Sequence, residues 1–168
     1  MLYIFTGNGK GKTTAALGLG LRAYGNGLKV ALVQFMKKLP TGERLALREL
    51  NQQRFTVKNF GRPVFFKKGQ HTLKDIQEAK KALAAAKSLL HKVDVLILDE
   101  INIVLFFKIL PLGLVLDFVV KRPASLDLIL TGRYAPPTLI ALADLVTEMK
   151  EIKHPYQKRE LAKKGIEY

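Results

Sequence analysis

The residues best suited to chemistry lie near the amino terminus, where glycine, lysine and threonine follow one another closely. The segment from residue 7 to residue 14 reads Gly7-Asn8-Gly9-Lys10-Gly11-Lys12-Thr13-Thr14. Its glycines let backbone N–H groups turn inward without Cβ clashes, and a helix beginning near Lys12 aims its positive dipole end at the same point. Lys12 adds a full charge, and the Thr13 hydroxyl can ligate Mg²⁺. The segment therefore predicts a binding site for a triphosphate.

This segment departs slightly from the usual phosphate-binding pattern, G-x-x-x-x-G-K-[ST]. Thr6 stands where the first glycine is expected, and Gly7 comes one position late. An apolar run over residues 2–5 precedes the segment and a helix-forming run follows it, which is the context that the pattern requires. The alternative is a glycine-rich turn that only joins a strand to a helix.

Two carboxylates, Asp99 and Glu100, directly follow four apolar residues, 95–98. This order places the acidic pair at the carboxyl end of a buried strand, where a ligand of Mg²⁺ facing a phosphate loop has to stand. The alternative is an exposed acidic pair at a strand end. The sequence does not distinguish which carboxylate contacts the metal ion.

A third polar group follows another apolar strand, in the segment Leu130-Thr131-Gly132-Arg133. The guanidinium of Arg133 offers a fork of donors that suits phosphate oxygens. On these residues alone, an arginine in a surface turn is an equally good interpretation.

The elements that must position these residues alternate between strand and helix. Strands are predicted over residues 2–5, 29–35, 55–59, 93–98, 126–130 and 145–149. Helices are predicted over residues 13–24, 43–52, 75–91, 112–120 and 137–143. This alternation predicts an α/β fold: a P-loop (RecA-like) three-layer sandwich whose central sheet is mostly parallel, with ligands at the carboxyl ends of the strands.

Composition sets outer limits on the class of protein. A chain of 168 residues with 48% hydrophobic content is expected to form one domain over residues 1–168. The absence of cysteine excludes disulfides, thiolate metal sites and thiol catalysis. The short apolar run at the amino terminus does not resemble a signal peptide, so a cytoplasmic location is expected.

Charge and hydropathy raise two further possibilities, binding to nucleic acid and insertion into a membrane. The net charge of +14 permits binding to nucleic acid, but the lysines are scattered and those of residues 80–87 suit a solvated helix face, so nucleic acid is not expected as a partner. The segment 101–120 is apolar and about long enough to span a bilayer, but Lys108, Asp117 and Pro111 interrupt it. A loop followed by a buried helix, or a surface covered by another subunit, is expected instead.

The chain resembles the P-loop type of ATP:corrinoid adenosyltransferases over nearly its whole length. The resemblance is carried by segments at residues 7–14, 33–37, 98–102, 122–123, 130–133 with 135–136, 143–149, 153–155 and 164–168. It implies transfer of the 5′-deoxyadenosyl group of ATP to the Co(I) of a reduced corrinoid, with release of triphosphate. Lys10 belongs to this family's form of the loop. Other P-loop functions remain alternatives: an ATPase or kinase in which Glu100 polarises water or an acceptor hydroxyl, or a nucleotide-dependent nucleic-acid-binding protein.

The resemblance also implies roles for individual residues. The nucleotide is expected to contact residues 7–14 and Arg133, with Mg²⁺ or Mn²⁺ held by Thr13, Asp99 and Glu100. Catalytic roles are expected for Lys12, Thr13 and Glu100. The implied partners are ATP, the corrinoid, a second copy of the chain in a homodimer and a separate flavin-type reductase.

The corrinoid contacts are the least specific part of the resemblance. The family carries a Phe-Thr-Trp-like segment in the middle of the chain, whereas this chain has no tryptophan and offers Phe65 and Phe66 there. Phe106 and Phe107, which follow the acidic pair, are second candidates. Phenylalanines that belong only to the hydrophobic core are an equally good interpretation of the first pair.

Overall fold

The computed structural model describes residues 1–37, 41–62, 71–155, 163 and 165–166 of the chain. Within these ranges strands and helices alternate. The strands are β1 Leu2–Thr6, β2 Val30–Gln34, β3 Phe55–Asn59, β4 Val95–Asp99, β5 Asp127–Thr131 and β6 Leu145–Glu148. The helices are α1 Lys12–Gly25, α2 Gly42–Arg48, α3 Leu73–Lys87, α4 Ile101–Phe106, α5 Leu112–Val120 and α6 Pro137–Leu142.

The strands form one sheet in the order β3-β2-β4-β5-β1-β6, and each neighbouring pair is parallel. The predicted α/β fold of the P-loop, RecA-like kind is thereby confirmed. Strand β5 lies between β1 and β4, so the strand that leads into the phosphate loop and the strand that leads into the acidic pair are separated by one neighbour. Because all carboxyl ends share one edge, the segments following β1, β2, β4 and β5 meet there.

The hydrophobic core consists of two layers, one on each face of the sheet. Strands β2 and β4 are buried at every position, as expected for strands covered on both faces. Val33 and Leu98 face the layer that includes α3, α4 and α5, whereas Leu32 and Ile97 face the layer that includes α1. The alternation of side chains along each strand thus supplies both layers.

The apolar segment 101–120 folds differently from the expectation. Its first part was predicted as a loop but forms helix α4, and α5 follows after a short turn. Ile101, Val104 and Leu105 are buried, because the helix packs its apolar side against the sheet. Most of the segment is therefore part of the chain's own core. No helix within the described ranges is long and apolar enough to cross a membrane.

Other differences concern the ends of elements. Helix α3 ends at Lys87 rather than at residue 91, and α2 ends at Arg48 rather than at residue 52. In both cases apolar residues continue beyond the end of the helix into a turn or bend that packs on the core, as Leu89 and Leu50 do. Lys80, Lys81 and Lys87 are exposed, so the solvated face predicted for α3 is confirmed.

Candidate active site

The phosphate loop joins β1 to α1 and is shaped by two glycines in left-handed backbone conformations. Gly7 has φ of 95° and Gly11 has φ of 112°. A Cβ atom on Gly7 would lie 2.4 Å from the carbonyl oxygen of Met149, so a larger residue cannot occupy this position without moving the backbone after β6. The N–H of Gly9 donates to that same carbonyl at 2.7 Å. The end of β6 therefore braces the loop from outside.

Lys12 lies inside the loop and is 9% exposed. Its ammonium donates to the carbonyl oxygens of Gly7 at 2.8 Å and Gly9 at 2.6 Å. Burial lowers the pKa of Lys12, because desolvation disfavours the charged form, and the charge of Arg133 lowers it further. The two carbonyl contacts hold the cation beneath the loop.

A buried carboxylate, Asp99, connects the ends of four elements. Its Oδ1 accepts hydrogen bonds from the hydroxyls of Thr13 at 2.8 Å and Thr131 at 2.7 Å. Its Oδ2 accepts from the Nε2 of Gln34 at 3.0 Å and the ammonium of Lys37 at 3.0 Å. The groups come from α1, β5, β2 and the segment after β2, so one side chain links the phosphate loop to the sheet.

The two neighbouring carboxylates have opposite electrostatic character. Burial raises the pKa of Asp99, but the charge of Lys37 and the hydrogen bonds from hydroxyl donors outweigh it, so the net pKa lies below its ordinary value. Burial also raises the pKa of Glu100, and the charge of Asp99 raises it further. Glu100 has φ of 66°, which turns its side chain into the cleft as α4 begins.

A cleft of about 710 Å³ opens beside these groups. Lys10, Lys12, Thr13 and Thr14 from the loop border it, together with Glu100. One wall of the cleft is apolar and combines side chains of α1, of α2 and of the turn after α2, namely Leu17, Leu21, Ala46, Leu47 and Leu50. A cleft with a cationic end and an apolar wall suits a nucleotide, which has a polyanionic end and a flat heterocycle.

Four other residues predicted for the nucleotide, Asn8, Lys10, Thr14 and Arg133, are exposed. The ammonium of Lys10 donates to the carbonyl oxygen of Ile166 at 2.9 Å. The charge of Arg133 lowers the pKa of both Lys12 and Glu100, so Arg133 lies within electrostatic reach of the site.

A second cavity of about 710 Å³ lies near the start of α5 and carries an aromatic pair. The ring of Phe106 stacks on that of Tyr134 with a centroid distance of 4.1 Å and an interplanar angle of 29°. Tyr134 has φ of 60°, and the next residue, Ala135, donates its N–H to the Thr6 hydroxyl at 3.2 Å. The aromatic pair is therefore tied to the end of β1.

The four phenylalanines predicted for the corrinoid have different outcomes. Phe106 borders the second cavity and is 36% exposed, whereas Phe107 is half-buried and packs against the core. Phe65 and Phe66 lie outside the described residues.

The fold and this site define a P-loop α/β protein. The whole chain, residues 1–168, matches the family described as ATP:corrinoid adenosyltransferase BtuR/CobO/CobP. It is 39% identical to the corrinoid adenosyltransferase of Pseudomonas aeruginosa, with 100% of this chain and 83% of that protein aligned. It is 37% identical to the corrinoid adenosyltransferase of Escherichia coli K12 and 36% identical to the corrinoid adenosyltransferase CobA of Salmonella typhimurium, with 100% of this chain and 85% of each relative aligned. The chain belongs to the ATP:corrinoid adenosyltransferase family.

Sequence analysis assigned no role to four residues that the structure brings to these two regions. Gln34, Lys37 and Thr131 bind Asp99, and Tyr134 stacks on Phe106. The only feature of the sequence that could have indicated them is their position. Each of the four lies at, or within four residues of, the carboxyl end of a predicted strand. Nothing in the sequence order indicates that all three polar groups meet one carboxylate.

Proposed function

We propose that this protein uses the cleft beside the phosphate loop to transfer the 5′-deoxyadenosyl group of ATP to the Co(I) of a reduced corrinoid, in adenosylcobalamin biosynthesis or salvage. The bond between C5′ and the triphosphate oxygen breaks, and a bond between C5′ and cobalt forms. Cobalt supplies both electrons of the new bond, and triphosphate leaves with the electrons of the old one. The observation that carries this proposal is the match of the whole chain to the family.

On this proposal the protein contributes charge and position rather than a nucleophile. Residues 7–14 and Arg133 bind the nucleotide, and Lys12 stabilises the negative charge that develops on the departing triphosphate. The support for Lys12 is its fixed place beneath the loop, with two carbonyl contacts that already orient the ammonium. A cation that is oriented in advance needs no reorganisation as the charge develops.

The polar groups at the end of β4 fit a divalent cation such as Mg²⁺ or Mn²⁺. Hydroxyl and carboxylate oxygens are the donors that Mg²⁺ prefers, and Thr13 and Asp99 already share a positively charged neighbour, the ammonium of Lys37. We propose that Thr13, Asp99 and Glu100 hold the ion. When bound, it supplies positive charge to the phosphate oxygens.

We assign the corrinoid to the side of the site that carries the aromatic pair. Phe106 supports this assignment because it is exposed and borders a cavity, whereas the half-buried position of Phe107 favours a structural role. An apolar aromatic wall suits a macrocycle whose lower axial ligand has to leave the cobalt. Phe65 and Phe66 remain candidates for the same wall.

The remaining parts of the proposal concern organisation. We propose that residues 1–168 act as one domain, that two copies form a homodimer and that the protein works in the cytoplasm. The exposed apolar side chains of the segment 101–120, which include Phe106, Leu114 and Val120, offer a contact surface. Because the chain has no cysteine, a separate flavin-type reductase supplies the electrons for Co(I).

A single assay tests the proposed reaction. The purified protein is mixed with ATP, Mg²⁺ and a chemically reduced corrinoid, and the absorbance of the new cobalt–carbon bond is followed together with the phosphate products. We expect adenosylated corrinoid and triphosphate in equal amounts. Release of ADP in the absence of corrinoid would instead indicate an ATPase or kinase.

A further inference from the structure

Lys37 lies between the two groups that are best placed to hold a metal ion. Its ammonium is 3.0 Å from Oδ2 of Asp99 and 3.3 Å from the hydroxyl oxygen of Thr13. A lysine side chain is ordinarily a cation near neutral pH, and this one forms an ion pair with the carboxylate of Asp99. A positive charge therefore already bridges Thr13 and Asp99.

Asp99 has no acceptor position left for a further ligand. A carboxylate has about four lone-pair positions, and four described groups donate to Asp99, two to each oxygen. A metal ion can reach this carboxylate only if one donor leaves. Gln34 and Thr131 are fully buried, and Thr13 is itself a proposed ligand of the ion. The side chain of Lys37 is 28% exposed and borders the cleft. Lys37 is thus the donor that is free to move out.

The position of Lys37 is fixed by the backbone. Met36 has φ of 56°, which turns the chain sharply after β2, and the N–H of Lys37 donates to the carbonyl oxygen of Phe60 at 3.0 Å. Gly61, which follows Phe60 and has φ of 123°, lets the two backbone segments approach closely, because a Cβ on it would lie 2.7 Å from the Cα of Met36. A strained turn held by a glycine contact directs this lysine at Asp99, unlike the solvated lysines of α3.

We propose that the ammonium of Lys37 occupies the place of the divalent cation in the metal-free protein and that metal and lysine compete for Asp99 and Thr13. The competition keeps the buried carboxylate paired before substrate arrives. It also weakens binding of the free metal ion, so that the ion enters together with the nucleotide, whose phosphates accept the released ammonium. The role of the nucleotide rests on the proposed function, whereas the competition is a property of the protein alone.

The test measures Mn²⁺ binding without nucleotide, using the electron paramagnetic resonance signal of the free ion. We expect Lys37→Met to bind Mn²⁺ about tenfold more tightly than the unsubstituted protein, since a charge at contact distance is removed. Lys10→Met removes a charge from the same cleft and is expected to change the affinity by less than about threefold. Lys87→Met, on the exposed face of α3, is expected to have no effect.

An unchanged Mn²⁺ affinity in Lys37→Met, or an equal gain in Lys10→Met, would overturn the proposal. Lys37→Gln keeps a donor for Asp99 but has no charge, and it covers the case in which the methionine variant does not fold. It should also bind Mn²⁺ more tightly, and Mn²⁺ should raise its Tm more than that of the unsubstituted protein. An unchanged affinity and an unchanged Tm response in Lys37→Gln would also overturn the proposal. Because no corrinoid is used, a protein that fails to transfer adenosyl groups can still pass this test.

Discussion

The phosphate side and the proposed corrinoid side of the site are built in opposite ways. On the phosphate side, Asp99 is fully buried and accepts four hydrogen bonds, and Lys12 is held by two backbone carbonyls. On the other side, Phe106 and Tyr134 are 36% and 46% exposed, and their rings stack on each other. One side is fixed by polar bonds in the interior, and the other by apolar surface that faces solvent.

This difference follows from the two kinds of ligand. A triphosphate is fully hydrated in water, so the protein must offer donors that are already oriented if it is to replace those water molecules. A macrocycle is recognised mainly by burial of apolar area, which tolerates adjustment of the surface. Substitutions on the phosphate side should therefore have larger effects than substitutions on the aromatic side, and four predictions test that comparison.

The largest effect is expected for Lys12→Ala. The substitution removes the fixed positive charge that stabilises the departing triphosphate, so kcat for adenosyl transfer should fall by about 10²- to 10³-fold. The measurement is the rate of cobalt–carbon bond formation at saturating ATP and corrinoid, with the exposed Lys87→Ala as the control. A rate within a few-fold of the unsubstituted protein would contradict the assignment of Lys12 to the leaving group.

The next effect is on folding and concerns Asp99→Asn. The amide nitrogen of the new side chain would replace Oδ2 and face two donors, Gln34 and Lys37. These two donors would then lose the oxygen that accepts their hydrogen bonds. We expect the free energy of unfolding to fall by about 3 kcal/mol, measured by urea denaturation. Asp117→Asn, which breaks the exposed pair with Lys121, is the matched control and should cost less than about 1 kcal/mol.

A second strong ion pair, between Arg62 and Asp75, gives a comparison with Asp99 under acid conditions. The guanidinium of Arg62 contacts both carboxylate oxygens of Asp75 at 2.6 Å. Although burial opposes it, the hydrogen bonds from Arg62 and Thr72 lower the pKa of Asp75 to about 2. Because the folded-state pKa is depressed, this stabilisation is complete above the unfolded value near 4 and is lost as the pH falls towards 2.

Acid unfolding followed by circular dichroism checks this prediction. The unsubstituted protein should lose about 2 kcal/mol more than Asp75→Asn between pH 4 and pH 2. Equal slopes for the two proteins would mean that the ion pair contributes nothing to the folded state.

The smallest effect is expected for Phe106→Ala. Loss of the stacked pair should raise KM for the corrinoid by about 2- to 10-fold, in line with the energy of an aromatic pair, and should leave KM for ATP unchanged. The control is Leu142→Ala, which removes an exposed apolar side chain at the last residue of α6. A rise in KM for ATP instead would place the cavity on the nucleotide side.

Much of the fold was predictable because it depends on local patterns. The glycine-rich loop, the apolar strands and the amphipathic spacing of α3 act over a few residues, and the predicted strand β3 and helix α5 agree with the structure at both ends. Helix α4 was not predicted, because its six residues are too few to show a period and its N-cap, Glu100, has a left-handed backbone that no sequence signature indicates. The ends of α2 and α3 were wrong because apolar positions beyond a helix can pack on the core in a turn.

The sequence by itself determined the type of loop, the acidic pair after β4 and the family resemblance, since these reside in residue types at fixed spacing. Only the tertiary structure decided that Gln34, Lys37 and Thr131 converge on Asp99, and that Tyr134 stacks on Phe106. The physical reason is the order of strands in the sheet. Residues up to about 100 positions apart in the chain meet because parallel strands end at one edge, and the strand order is set by packing of the whole core.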